Sequence, residues 1–95
     1  MPDLTDNTAR RRFEMIVDGQ TAYVTYSIGQ GHITLLHTQV PVSLAGRYVG
    51  SSLVQSVLET VRDRGLKVVA ECDFAAGYIK RHPEFASLVA DDPSS

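Results

Sequence analysis

The hydrophobic repeat changes partway through the stretch from Ile33 to Gly65, and that change limits the fold more than any other feature of the chain. Residues Ile33 to Val40 are rich in β-branched side chains and read as a strand, which Pro41 ends because it has no N–H to donate. Beyond a short loop, Val49, Leu53, Val54, Val57, Leu58 and Val61 recur at helical spacing, with Gln55, Glu59, Arg62 and Asp63 on the complementary face. Gly65 is expected to close this helix as its C′ residue, and Lys67 to Cys72 read as the next strand. A strand, helix, strand unit of this length implies a right-handed crossover between parallel neighbours. The loop then lies at the carboxyl end of its strand, where open α/β sheets favour ligands.

Upstream, Phe13 to Val17 and Thr21 to Ile28 are strand candidates joined by Asp18-Gly19, a pair suited to a tight hairpin. Gly29-Gln30-Gly31 turns the chain again into Ile33 to Val40. Apolar side chains fall on both faces of that strand, Ile33 and Leu35 with His37 on one, Leu36 and Val40 on the other, so it is expected to be interior and covered on both sides. Downstream, Ala75 to Arg81 reads as a second helix, and Pro83 opens a final turn carrying Phe85, Leu88 and Val89. The expected fold class is α/β (α+β): a three-stranded antiparallel meander, a parallel crossover strand and two to three helices. One domain is expected over residues 12–90. Residues 1–11, polar and without periodicity, and 91–95 are expected to be disordered tails.

At 95 residues with 43% apolar content, the chain has enough for a single core. A net charge of −2 offers no general attraction to nucleic acid or to anionic membranes, and Arg10-Arg11-Arg12 reads as a solvated edge. The single cysteine excludes an intramolecular disulfide and a multi-cysteine zinc site, and no His and carboxylate set has metal spacing. With no long apolar run, the expectation is a cytoplasmic protein without nucleic-acid or membrane partners.

The junction Val40 to Val54 is suited to an anion. A helix N-terminus leaves backbone N–H groups unpaired and carries partial positive charge, and Gly46, Gly50, Ser51 and Ser52 keep bulk away. An ordinary cap would have the same composition. The order Arg47, Gly50, Ser52 resembles the acyl-CoA pyrophosphate loop of the GNAT acetyltransferase superfamily, whose core is Arg or Gln, two residues, Gly, one residue, then Gly or Ala. Downstream, Gly65 to Val69, Cys72-Asp73-Phe74 and Tyr78-Ile79-Lys80-Arg81-His82-Pro83-Glu84-Phe85 are similar to the compact single-domain GNAT-like family. The likeness spans about Phe13 to Val89. Family members usually carry Gly at Tyr48, often a basic residue at Ala45, and Gly or Ala at Ser52. Tyr48 stands to crowd the pyrophosphate or to stack on it from outside.

The resemblance implies acetyl-CoA as acyl donor and acetylation of an amine, on a protein or a small molecule. Gly46, Arg47, Tyr48, Val49, Gly50, Ser51 and Ser52 would form the pyrophosphate clamp, and the pantetheine arm would run along Thr38, Gln39 and Val40 where strands splay, with the Val40 N–H as carbonyl polariser. Lys80 and Arg81 would face the charged nucleotide, and His82 would serve as a cap, beside the phosphates or as a general base. Cys72 reads either as a small buried hydrophobe or as a thiol beside the thioester, and Tyr78 either as a packing aromatic or as the acid that protonates departing CoA. His37, Glu71 and Asp73 are further base candidates whose blander readings are a hydrogen-bonded sheet residue and solvated carboxylates. The alternative function is a non-catalytic CoA or acyl-CoA sensor, which needs the clamp but neither Cys72 nor Tyr78.

Overall fold

Asp18 and Gly19 both take positive φ, 51° and 75°, the geometry of a tight two-residue hairpin matched to strand twist. They join two strands of a sheet in a computed structural model that describes residues 4–46 and 48–90. The elements are β1 (Leu4–Asn7), β2 (Arg12–Val17), β3 (Gln20–Gly29), β4 (His32–Gln39), a 3-10 turn (Val42–Leu44), α1 (Val49–Asp63), β5 (Lys67–Ala70), α2 (Asp73–Arg81) and a second 3-10 segment (Pro83–Leu88). The strands lie in chain order; β1 to β4 pair antiparallel and β5 pairs parallel to β4, from His32 opposite Lys67 to Leu35 opposite Ala70. The mixed α/β class, the meander and the parallel crossover are as expected from the sequence.

One strand was not. Residues 4–7, assigned by composition to the tail over 1–11, form β1 at the sheet edge. Leu4 is its one apolar residue, so no alternation announces it; a polar network holds it instead. Asp6 accepts from the Tyr26 hydroxyl of β3 and from Arg64 Nη1, the latter at 3.0 Å, just beyond α1. The tail expected at 91–95 lies outside the described residues.

The helix packs as its pattern requires. Leu53, Val54, Val57, Leu58 and Val61 are fully buried against Phe13, Ala22, Val24, Ile33, Leu35 and Val68 of the sheet. Burying each such side chain contributes about 1.5–3 kcal/mol. α1 ends in a Schellman motif: Gly65, at φ 71°, donates to Arg62 O, and Leu66 donates to Val61 O. Beyond α2, Val68 bridges to Val89, and the Ala90 N–H bonds Val68 O at 2.8 Å.

β4 is interior in the sheet but not covered on both faces. The pairing of β3 with β4 shifts between Thr25, opposite His37, and Tyr26, opposite Leu35, so Leu36 is a bulge residue with no partner of its own. Leu36 is 44% exposed, and the parity of everything after it reverses. His37, expected beside Ile33 and Leu35, joins the open face with Thr25, while Thr38 comes opposite buried Val24 on the helix-covered face. β5 is also shorter than expected: it stops at Ala70, and the Glu71 and Cys72 amides both bond Leu35 O at 3.0 Å. From Leu36 onward no strand of the described residues lies beside β4 on that side.

Candidate active site

The loop after β4 is held by two residues of its short 3-10 turn. Leu44 is fully buried, and Ser43 Oγ donates to Gln20 Oε1 at 2.6 Å. Gly46 takes φ 80°, and α1 then begins from Tyr48, whose own φ is 61°. The N-cap residue Tyr48 makes no side-chain capping hydrogen bond. The amides of Val49, Gly50 and Ser51 belong to the first turn, which has no intrahelical acceptors for them. The Ser52 N–H is different, because it already bonds Tyr48 O at 3.0 Å.

α2 begins beside this turn. A Cβ on Gly50 would stand 2.7 Å from Phe74 Cζ, so the ring sits where any larger residue would project. Further along, the Tyr78 hydroxyl meets Gln55 Oε1 at 3.2 Å. Both helices advance by about one turn between these contacts, so they run side by side in one direction and open their positive ends together. Between them lies a cavity of about 360 Å³ lined by Val40, Leu44, Ala45, Gly46, Tyr48, Val49, Gly50, Ser51 and Phe74. That size falls within the range of small-molecule sites.

Six expected residues therefore share the wall: Val40, Gly46, Tyr48, Val49, Gly50 and Ser51. The sequence pattern assigns no role to Leu44, Ala45 or Phe74. Leu44 was signalled only as an apolar residue inside a loop, and Phe74 as an aromatic two positions after the cysteine. Arg47 lies outside the described residues.

Thr38 and Cys72 stand two residues before the wall residues Val40 and Phe74. Their side chains meet, Thr38 Oγ1 to Cys72 Sγ at 3.1 Å, and Cys72, 8% exposed, is the N-cap residue of α2. The bulge makes this contact possible, since an unbroken strand would turn Thr38 to the other face. Gln39 is exposed, and its Oε1 lies 3.2 Å from His37 Nε2 on the open side.

Tyr78 is buried among Ile79, Phe85 and the His82 ring, which stacks on it at 3.9 Å and 12°. Burial pushes its phenol above the ordinary value, and the Glu84 and Glu59 carboxylates add to the shift. His82 Nδ1 lies 2.9 Å from Tyr78 O and donates to it, which fixes the tautomer and turns the ring toward the fold. Neither residue lines the cavity. Lys80 and Arg81 are exposed in the last turn of α2, at the end away from the cavity, but Arg81 reaches back: its Nη1 would lie 3.5 Å from a Cβ on Gly77. Glu71 and Asp73 are exposed on either side of Cys72. Among the described residues no His, Cys, Asp and Glu group could hold a metal ion, and no helix is long and apolar enough to cross a membrane.

This architecture is shared with a solved protein. The solution NMR structure of a GCN5-like protein from Staphylococcus aureus matches with a TM-score of 0.72 at 25% identity, over 95% of this chain and 89% of that one. The fold class is thus that of the GCN5-like α/β domains. A family model described as GCN5-related N-acetyl-transferase matches residues 12–88, and the chain belongs to that family. Among curated relatives, Protein NATD1 of Homo sapiens is 30% identical over 77 residues, 78% of this chain and 68% of the relative. Protein NATD1 of Xenopus tropicalis is 29% identical over 77 residues, 78% of this chain and 71% of the relative.

Proposed function

We propose that this chain is an acetyl-CoA-dependent N-acetyltransferase that transfers an acetyl group to an amine, by direct attack or through an acyl-Cys72 intermediate. The observation that carries the reading is the uncapped start of α1, with its Val49, Gly50 and Ser51 amides on a cavity at the carboxyl end of β4. Those donors and the dipole behind them fit a pyrophosphate. The open β4 edge from Thr38 through Gln39 to Val40 would take the amides of the pantetheine arm, with the Val40 N–H polarising the thioester carbonyl. Arg81, reaching back along α2, and Lys80 beside it add positive charge for the nucleotide, while the stacked His82 serves to hold Tyr78.

In the direct route the acceptor nitrogen bonds the carbonyl carbon and gives up one proton to solvent, the C–S bond breaks, and CoA leaves as a thiolate that takes up a proton. Tyr78, kept protonated by burial, is the proton source in this reading; its hydroxyl must exchange Gln55 for the sulfur. In the covalent route the Cys72 sulfur bonds the carbonyl carbon, the C–S bond to CoA breaks and CoA leaves as the thiol with the proton given up by Cys72; the amine then takes the acetyl group and its proton returns to the Cys72 sulfur. Intact mass measurement after incubation with acetyl-CoA separates the routes. One added acetyl group, lost in Cys72→Ala together with CoA release, supports the covalent route; CoA release that depends on an amine and survives Cys72→Ala supports direct attack.

A non-catalytic acyl-CoA sensor is favoured by one observation: neither Cys72 nor Tyr78 lines the cavity, and the Tyr78 hydroxyl is engaged by Gln55. Retained acetyl-CoA binding with no CoA release across polyamines, free lysine and lysine peptides would favour that reading.

A further inference from the structure

Tyr48 stands in a backbone conformation that a glycine adopts freely and a bulky side chain does not, at φ 61° and ψ 14°. Its side chain repays nothing to the fold. It makes no capping hydrogen bond, and it is 81% exposed although it lines the cavity mouth. A strained, solvent-facing aromatic at the rim of a cavity calls for a role outside the fold.

The groups that line the cavity say which role. Val40 and Phe74 stand two residues from Thr38 and Cys72, whose side chains meet, and Phe74 lies against Gly50; Tyr48, at 81% against 41% for Phe74, is the more exposed aromatic of the lining. A ligand with phosphates at the first-turn amides and an acyl arm along β4 must send its other half past Tyr48. In a nucleoside diphosphate the base is one ribose away from the phosphates, within reach of a tyrosine ring on the N-cap residue.

We infer that Tyr48 is a stacking platform for the adenine base of the acyl-CoA donor. This rests on the acyl-CoA reading above and adds to it a specificity residue for the nucleotide half. Aromatic stacking on a base is sequence-tolerant and strong enough to offset a strained cap. Phe74, two residues from Cys72, belongs to the arm rather than to the base.

The test compares CoA with 4′-phosphopantetheine, which lacks the base together with its ribose, the 3′-phosphate and one of the two linking phosphates, by titration calorimetry on the wild-type chain, Tyr48→Gly and Tyr48→Phe. Tyr48→Gly is expected to weaken CoA about tenfold or more while leaving phosphopantetheine unchanged, and Tyr48→Phe to keep CoA affinity. The fluorescence of etheno-adenine CoA should change on binding to wild type and to Tyr48→Phe but not to Tyr48→Gly. Because glycine relieves the positive φ, Tyr48→Gly should melt no lower than wild type, so a loss of affinity will not reflect unfolding. Unchanged or tighter CoA binding by Tyr48→Gly, or equal loss of both ligands, overturns the stacking role and leaves the acyl-CoA reading standing. If the wild-type chain binds CoA in no arm, both fall.

Discussion

Gly50 has no side chain, and the volume where one would project is taken by the Phe74 ring. The residue thus does two jobs: it keeps the first-turn amides of α1 accessible and it seats the ring that walls the cavity. An alanine there gains helix propensity, about 1 kcal/mol, but must displace a ring that is 41% exposed and able to move outward. Gly50→Ala should therefore melt within a few degrees of wild type while binding acetyl-CoA about tenfold more weakly, measured by calorimetry. The smallness of Gly50 could be read from the sequence, since a helix entry that takes an anion must be uncrowded. Its partner could not, because contact with Phe74 depends on how α2 returns beside α1. Tyr78 was visible as an aromatic on a short helix, yet its engagement by Gln55 was hidden, since Gln55 sits on the polar face of the helical pattern.

At the scale of elements, the bulge at Leu36 decides which side chains reach the site. Strict alternation put His37 with Leu35, and one extra residue in β4 reverses that, sending His37 to the open face and Thr38 to Cys72. No residue preference marks a bulge inside so apolar a strand, so period-two reasoning was right up to Leu36 and inverted after it. The two leucines give a test. Leu35, fully buried, should cost about 2–5 kcal/mol when replaced by alanine, whereas Leu36→Ala, on the open face, should cost well under about 1 kcal/mol. Urea denaturation of both variants measures this; equal losses would mean that Leu36 is a core residue. The helices, the hairpin at Asp18-Gly19 and the crossover were all legible, because each depends on local periodicity or on turn chemistry. β1 was not, because its order comes from Asp6 reaching two distant partners.

In the whole molecule, that same network ties the sheet edge to the far end of α1. Burial first, and then the hydrogen bond and charge of Asp6, push the Tyr26 phenol up to about 12 from its ordinary 10.0. Folding therefore favours the protonated phenol, and its contribution is complete below about pH 10 and lost as pH rises through 12. Tyr26→Phe should flatten that alkaline limb and lower the melting temperature by about 4–8 °C, the equivalent of about 1 kcal/mol in a domain of this size. Thermal melts from pH 7 to 12 on both chains check the sign, which would be wrong if the wild-type chain gained stability over the alkaline limb.

The fold places a cavity, an uncapped helix start and an open strand edge at one end of the sheet, and the proposed function requires all three to bind one ligand. Titration calorimetry of the purified chain with acetyl-CoA, repeated with CoA, tests this most directly. Micromolar binding of both, about −8 kcal/mol, is the predicted result. No heat of binding up to millimolar ligand would contradict it, leaving a GCN5-like fold whose helix start holds no acyl donor.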